Sequence, residues 1–385
     1  MRDIIYITTA QEEQEFDQFK KGWKFSLNPS NINFNNKMIS CFSLTNKVHV
    51  FSIRPYSKSC ENINTNSKNN TIGNTSYHYL KINKNKFLRP ISYLLEIIKI
   101  IKTEQINNKP IIVCETINYS CLYIAKQISK KFSYPVIGLL TDSPNYISYI
   151  SSSYKKKLFN KAKTLNGFIA LNENLLSLYN VFNKPSIIIN GLFDSRKIKK
   201  DKNINNNKPY FYYGGTCLKE FGIYNLIEAY KKLNTNKISL LISGHHENIE
   251  EINKSINGYD IKYLGNLSLK ETNRYEENSV ASINPRPYKK EIDLYSVSSK
   301  VIEYLSSKTI VISTYSSILH KIFKDEIIWT EDDSINSLYK ALKKVIEMDE
   351  DNKNKLIEKS YIKAKELYSI DKVNQKLELF INKFF

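Results

Sequence analysis

Short runs of β-branched and aromatic residues alternate along this chain with stretches whose apolar positions recur at helical spacing. That alternation predicts an α/β architecture built on parallel sheets. In the first half the predicted strands are Ile4–Thr8, Lys47–Ile53, Ile111–Cys114, Val136–Leu140, Gly167–Ala170 and Ser186–Asn190, with amphipathic stretches at Ile91–Lys102 and Cys121–Lys131. The pattern then breaks: residues 195–208 are Asn/Lys-rich without an apolar face and read as a linker. Beyond it the alternation restarts, with strands at Tyr210–Tyr213, Ile238–Ile242, Ile261–Leu264, Val280–Asn284 and Thr309–Ser313. Helices are predicted over Lys219–Leu233 and Ser299–Ser306, and Ser268-Leu-Lys-Glu271 matches a capping box. The stretch Leu356–Phe385 reads as helix without strands. The expected organisation is a Rossmann-like domain over residues 1–194, a linker over 195–208, a second Rossmann-like domain over 209–365 and a C-terminal helix over 366–385 that can return to the first domain. Two such sheets predict a central cleft lined by the carboxyl ends of their strands, where ligands bind in open α/β folds.

Composition narrows the class. With 385 residues, 41% of them hydrophobic and 25% charged, the chain has enough apolar material for two cores and is neither disordered nor collagenous. Of the net charge of +19, +17 falls on residues 1–200 and +2 on residues 201–385, so an anionic partner is expected on the first half. The five cysteines (Cys41, Cys60, Cys114, Cys121, Cys217) are odd in number and unpaired in spacing, which argues against a disulfide framework or a cysteine zinc site and fits a reducing cytoplasm. The apolar stretch at the N-terminus is too short for a signal peptide, and the best apolar run, Ile91–Ile101, is interrupted by Glu96 and Lys99.

The most informative stretch is Ile283-Asn-Pro-Arg-Pro287 followed by Tyr295-Ser-Val-Ser-Ser-Lys-Val-Ile-Glu-Tyr-Leu305. A strand ends at Asn284, a loop carries Arg286, and a helix opens at Ser298 or Ser299 with its N–H groups free for phosphate. Arg286 and Lys300 add positive charge, and Glu303, one turn in, can accept from the two hydroxyls of a ribose. The same residues also read as an ordinary serine cap and a first-turn carboxylate favoured by the helix dipole. Asp349-Glu-Asp351 has the DxD form of a metal motif but lies between two helices and is expected to be a solvated helix junction, and adjacent His245-His246-Glu247 side chains diverge and are expected to form the polar rim of a cleft. No P-loop, GxSxG or HExxH sequence occurs.

Together with Tyr213-Gly-Gly-Thr-Cys-Leu-Lys-Glu-Phe-Gly-Ile223, Leu240-Leu-Ile-Ser-Gly244 and Tyr263-Leu-Gly265, these residues resemble, in order and spacing, the C-terminal domain of glycosyltransferase family 4, whose fold is GT-B. Thr141-Asp-Ser-Pro144 and Ile187–Asp194 resemble, more weakly, bacterial polysaccharide and capsule members. The resemblance implies transfer of a sugar from a nucleotide diphosphate sugar, UDP- or GDP-linked, with retention of configuration and without a metal or other cofactor. Carried over residue by residue, Glu303 is expected to hold the donor ribose, and Ser299 and Lys300 to meet the diphosphate. Gly214, Gly215, Thr216, Lys219 and Gly244 are expected to pass close to the donor, and Leu264 and Gly265 to receive its base. Arg286, Lys300 and Asp142 are the expected catalytic residues. The sequence departs from the family where the first glutamate of Glu-x7-Glu is Tyr295 and where the phosphate-binding Arg and Lys are Thr216 and Phe221.

Three basic clusters, Lys81–Arg89, Lys155–Lys163 and Arg196–Lys202, dominate the first half. They carry no nucleic-acid module signature; interspersed with Tyr154, Leu158 and Phe159 they read as a surface for anionic lipid. The expected acceptor is a saccharide or a lipid-pyrophosphate-linked sugar, and the expected location is the inner face of a membrane in a bacterial cytoplasm. A non-catalytic GT-B subunit and a nucleotide-sugar epimerase are the alternatives.

Overall fold

The computed structural model describes residues 1–22, 29–57, 69–146, 150–193 and 208–385. It divides into two compact units, Met1–Leu192 with Leu294–Ser296 and Ile370–Phe385, and Phe193–Asp293 with Val297–Ser369.

The first unit is built on eight strands: β1 (Asp3–Thr8), β2 (Lys47–Ser52), β3 (Asn70–Ile72), β4 (Thr75–Tyr79), β5 (Ile111–Glu115), β6 (Val136–Leu140), β7 (Gly167–Ala170) and β8 (Ser186–Ile188). Their order is β3-β4-β2-β1-β5-β6-β7-β8, all pairs parallel except the β3–β4 hairpin. Every residue of β1, β5 and β6 is buried, as expected of strands covered by helices on both faces. The helices are α1 (Glu13–Gly22), α2 (Pro29–Ser43), α3 (Arg89–Thr103), α4 (Tyr119–Phe132), α5 (Ser152–Ala162) and α6 (Glu173–Tyr179). Asn118 opens α4 by accepting from the N–H groups of Ser120 and Cys121 at 2.9 and 3.3 Å, and Ser133 closes it in the left-handed region. Between these caps α4 buries Cys121, Leu122, Ile124, Ala125 and Ile128.

The second unit has six parallel strands: β9 (Tyr210–Gly214), β10 (Ser239–Ser243), β11 (Ile261–Tyr263), β12 (Ala281–Asn284), β13 (Ile310–Ser313) and β14 (Ile328–Trp329), ordered β11-β10-β9-β12-β13-β14. Its helices are α7 (Ile223–Leu233), α8 (Ile249–Ile256), α9 (Leu269–Glu277), α10 (Lys290–Asp293), α11 (Ser299–Ser306), α12 (Ser317–Ile322), α13 (Ile335–Glu347) and α14 (Glu350–Tyr368). The capping box opens α9 as its sequence requires: Ser268 Oγ accepts from Glu271 N–H at 3.3 Å while Glu271 accepts from Ser268 N–H at 2.9 Å. The last helix, α15 (Ile370–Ile381), belongs to the first unit, burying Val373, Leu377, Phe380 and Ile381. Its Asn374 amide donates to Cys41 O at 2.8 Å at the end of α2.

Three local departures from the sequence reading have physical causes. The helix expected over Lys219–Leu233 is a 3-10 turn, Lys219–Phe221, followed by α7. The break is Gly222, at φ +81°, where an added Cβ would meet Pro285 O at 1.9 Å. The strand expected over Ser186–Asn190 ends at Ile188; Ile189 N–H still donates to Ala170 O at 2.9 Å, and beyond it the Asn190 amide donates to Leu171 O at 2.7 Å. The β3–β4 hairpin, absent from the expectation, turns at Gly73 with φ +57°, and its strand β4 is Thr-Ser-Tyr-His-Tyr, too polar to stand out.

Candidate functional site

In the second unit successive strands run outward from β9 in one direction through β10 and β11, and in the other through β12 and β13. The crevice between β9 and β12 is the topological switch point, where such sheets bind ligands at their carboxyl ends. The glycine turn Gly214-Gly215-Thr216 leaves β9 there, and Pro285 and Arg286 leave β12.

The turn is tied down on every side. Gly215 N–H donates to Ser243 O at 2.8 Å, and Cys217 N–H donates to His245 O at 2.8 Å. Gly244, at φ +132°, brings its Cα so close that an added Cβ would lie 1.7 Å from Gly215 O, so only glycine fits. Gly244 N–H donates to Gly265 O at 2.8 Å and Gly244 O accepts from the Tyr263 hydroxyl at 2.6 Å, which links the ends of β10 and β11. Tyr213 donates its hydroxyl to Thr216 O at 2.6 Å, and the buried Tyr304 hydroxyl accepts from Gly214 N–H at 3.1 Å.

Helix α11 begins at Ser299, and Ser298 caps it without a side-chain hydrogen bond. Val301, Ile302, Tyr304 and Leu305 face the core, which leaves Ser299, Lys300 and Glu303 half-buried on the remaining face. Lys300 reaches back across Gly215 to donate from Nζ to Gly214 O at 2.5 Å. An added Cβ at Gly215 would collide with this lysine at 2.4 Å. On the other strand, the half-buried Arg286 guanidinium lies 5.9 Å from the centre of the Phe221 ring, a cation–π contact. Burial pushes the Cys217 thiol up to about 12 despite the Lys300 charge nearby, and burial likewise raises Tyr213 well above its ordinary value, so neither is an anion at neutral pH.

The structure therefore gathers Gly214, Gly215, Thr216, Gly244, Gly265, Arg286, Ser299 and Lys300 around one switch point, with Glu303 one turn along α11. Lys219 is exposed on the 3-10 turn, and Leu264 is half-buried against Tyr210, Tyr212 and Leu241. Asp142 is in the first unit, half-buried in the loop after β6, and its charge raises the buried Tyr179 hydroxyl further beyond what burial does. Tyr295 groups with the first unit and stacks on Tyr146 with ring centroids 5.6 Å apart. Tyr213, Tyr263 and Tyr304, which brace the turn, were missed as supports because nothing separates them by type among 27 tyrosines.

The first unit has its own switch point, between β1 and β5. There Glu115, only 2% exposed, accepts from Thr9 N–H at 2.8 Å, from the Thr8 hydroxyl and from the Asn31 amide at 3.3 Å. A lone glutamate at a strand end carries no signal in a single sequence.

Other expected features resolve plainly. Asp349 is exposed and caps α14, accepting from Asn352 N–H at 2.9 Å. His246 is buried, a correction to the expected polar rim. Its Nδ1 accepts from Asn248 N–H at 2.9 Å, so Nε2 carries the proton toward the Tyr224 hydroxyl at 2.9 Å, which donates to Glu251 at 2.8 Å. Leu158 is also buried, because α5 turns it inward with Ala162, so the expected lipid face on that helix lacks it. Lys155, Lys156 and Lys163 line a concave surface of about 590 Å³ with Asn145, Phe159 and Leu178. The cluster Arg196–Lys202 and Cys60 lie outside the described residues, as does most of the expected linker.

In α3, Tyr93, Ile97 and Ile101 face the core, and this places Ile91 and Leu95 on the opposite side. They are exposed together with Phe87 (76%) and Leu88, beside the exposed Lys84 and Lys86. Among the described residues no helix is long and apolar enough to cross a membrane.

Comparison with known proteins bears on both units. Residues 194–363 match the family model of glycosyl transferases group 1. Sucrose-phosphate synthase from Thermosynechococcus elongatus superposes with a TM-score of 0.70 at 12% identity, covering 100% of this chain and 99% of that one. The fold is GT-B. A glycosyltransferase from Rickettsia africae superposes at 0.68 with 15% identity over 99% and 98% of the chains. The Anabaena protein HepE in complex with UDP-glucose superposes at 0.66 with 10% identity over 100% of both. No curated protein sequence matches.

Proposed function

We propose that the chain is a glycosyltransferase that moves a sugar from a nucleotide diphosphate sugar, UDP- or GDP-linked, to a saccharide or lipid-linked acceptor in surface polysaccharide synthesis, with retention of configuration. The observation that carries this reading is the convergence of Gly214-Gly215, Arg286, Lys300 and the open N-terminus of α11 on the switch point of the very unit that matches the glycosyl transferases group 1 model. Such an arrangement suits a departing diphosphate: the backbone approaches closely at the glycines, the helix N-terminus offers N–H groups, and the two cations offset the developing charge. Glu303 holds the ribose hydroxyls, and the base lies at Leu264-Gly265. The leaving phosphate itself takes the proton of the attacking hydroxyl, so no general base is required. HepE was solved with UDP-glucose, which supports a UDP-linked donor as the first to test.

The acceptor side falls to the first unit, where Asp142 follows β6 and the lysines of α5 line a concave surface suited to an anionic acceptor. The exposed apolar ridge Phe87, Leu88, Ile91 and Leu95, flanked by lysines, supports attachment to an anionic membrane surface. A non-catalytic subunit is the second reading, favoured by Tyr295, whose stacked ring supplies no carboxylate.

A thermal-shift panel with UDP, GDP, ADP, CMP and their sugars, run on wild type and Glu303→Ala, tests the donor site. Ligand at about 100 times its dissociation constant adds roughly 2.7 kcal/mol. Stabilisation by one nucleotide family that Glu303→Ala abolishes supports the reading, and turnover by the isolated chain sinks the non-catalytic one. No stabilisation by any nucleotide overturns the donor assignment.

A further inference from the structure

Strands β2 and β4 are parallel neighbours in the first unit, with Phe51 opposite His78 and His49 opposite Ser76. His49 and His78 therefore sit diagonally on the same sheet face. Their rings are nearly parallel, interplanar angle 13° with centroids 6.0 Å apart, and His78 also stacks on Phe51 at 4.9 Å. Both are buried, at 9% and 3% exposure. Their nitrogens are left over: His49 Nδ1 and His78 Nδ1 and Nε2 are buried and find no hydrogen-bond partner among the described residues. An orphaned buried polar atom is costly and calls for an occupant of its site.

Glu104, the residue that ends α3, places its carboxylate over the pair. Its Oε2 lies 3.6 Å from His49 Nδ1 and 3.6 Å from His78 Nε2, and the three ligand atoms all lie within 4.8 Å of one another. In a tetrahedral zinc site with metal–ligand bonds of about 2.0–2.1 Å, neighbouring ligand atoms are separated by about 3.3 Å. The Glu104 oxygen stands only about 0.3 Å farther than that from each nitrogen, too far for a hydrogen bond and near enough for small side-chain rotations to close the set around an ion.

We propose that His49 Nδ1, His78 Nε2 and Glu104 form a binding site for one divalent transition-metal ion of the zinc class. Imidazole with carboxylate is the donor set such ions take. The ion satisfies two of the three orphan nitrogens. Asp3 stands behind His49, its Oδ1 3.6 Å from Nε2, while its Oδ2 accepts from Asn107 and Asn108 N–H at 3.1 and 2.8 Å; this carboxylate steadies the imidazole from the far side. The carbonyl end of α3 adds a negative potential. Glu104 is half exposed, at 41% of its side chain, so the ion enters from that side and keeps a water as fourth ligand. Bound there, it joins β2, β4 and the end of α3, in a different unit from the proposed donor site and independent of that reading.

The test is titration of the metal-stripped full chain with Co²⁺ and then Zn²⁺. The expected result is one equivalent of Co²⁺ with visible d–d absorption that Zn²⁺ displaces, and a higher melting temperature with either ion. His49→Gln and Glu104→Gln, each with a wild-type circular dichroism spectrum, weaken binding by roughly tenfold or more. Glu104→Gln sits at a helix end and half in solvent, so it keeps the fold even if the histidine variant does not. Absence of one-equivalent binding in the wild type, or wild-type affinity in Glu104→Gln, overturns the site.

Discussion

Gly244→Ala tests whether the close approach of two backbones, rather than positive φ alone, shapes the switch point of the second unit. Gly244 and Gly258 both have positive φ, +132° and +81°, but an added Cβ at Gly244 meets Gly215 O at 1.7 Å whereas one at Gly258 meets nothing within 4 Å. At Gly258 an alanine costs only the left-handed backbone, about 1–2 kcal/mol. At Gly244 the backbone strain of about 1–3 kcal/mol is joined by overpacking of about 1–3 kcal/mol. Relief requires the Gly215 carbonyl to retreat, and the bonds Gly215 N–H to Ser243 O and Gly244 N–H to Gly265 O move with it. The sum is roughly 2–6 kcal/mol, which at about 2–4 °C per kcal/mol for a unit of this size lowers the transition by roughly 4–24 °C. Scanning calorimetry of Gly244→Ala, Gly258→Ala and wild type resolves the unit's own transition, and nucleotide binding at a temperature where both variants are folded reads the turn's geometry. Equal shifts for the two alanines, with donor binding untouched in both, would refute the reasoning.

Lys300→Met removes the ammonium that spans Gly215 and, on the proposed donor reading, lowers kcat by roughly 10²-fold, measured as nucleotide release; unchanged turnover removes Lys300 from the mechanism. Leu377→Ala opens a cavity where α15 is buried in the first unit and costs about 2–5 kcal/mol in chemical denaturation, affecting the first unit's transition first. Burial would raise the Asp260 carboxyl, but Lys208 at 2.9 Å and Ser239 at 3.1 Å outweigh it and hold the folded-state pKa below the ordinary value. A depressed folded pKa gives stability that is complete above the unfolded value near 3.9 and lost as pH falls through the folded one. Asp260→Asn therefore flattens the acid limb of stability against pH below about 4, and an unchanged limb refutes the assignment. Phe87→Ser with Leu95→Ser reduces co-sedimentation with anionic vesicles while neutral vesicles stay unbound; equal sedimentation of variant and wild type rejects that ridge as the attachment surface.

The strands were legible where the chain buries them on both faces. Ile4–Thr8, Val136–Leu140 and Gly167–Ala170 are uninterrupted apolar or small runs, short and β-branched enough to be read as covered parallel strands rather than buried helix. The hairpin arm Thr75–Tyr79 was illegible because its fitness for the sheet comes from pairing with β2 and from rings that stack along it and on Phe51 of β2, not from its own hydrophobicity. The positions gathered at the second unit's switch point were legible as an ordered set of glycines, a loop arginine and a serine-led helix. What was not legible is what holds them: that Lys300 lies on the Gly214 carbonyl, or that Gly244 touches Gly215, depends on strands far apart in sequence meeting at one sheet edge. The paired histidines were missed for the same reason. They are 29 residues apart and become neighbours only through the parallel register of β2 and β4.

Phe221 has a physical role at the switch point of the second unit, beside Arg286. Phe221 presents its ring to the guanidinium at 5.9 Å, an attractive contact for a cation. A lysine in that place would set a like charge at about 6 Å, a repulsion of about 3 kcal/mol at an effective dielectric of 20. The aromatic ring thus orients Arg286 where a second cation would push it away. Lys300, anchored on a neutral carbonyl, keeps its charge while its position is fixed. Positive charge at this switch point comes from Arg286 in the β12 loop and Lys300 at the start of α11, and the aromatic ring at residue 221 leaves both cations in place, which on the proposed donor reading suits them to an anionic diphosphate.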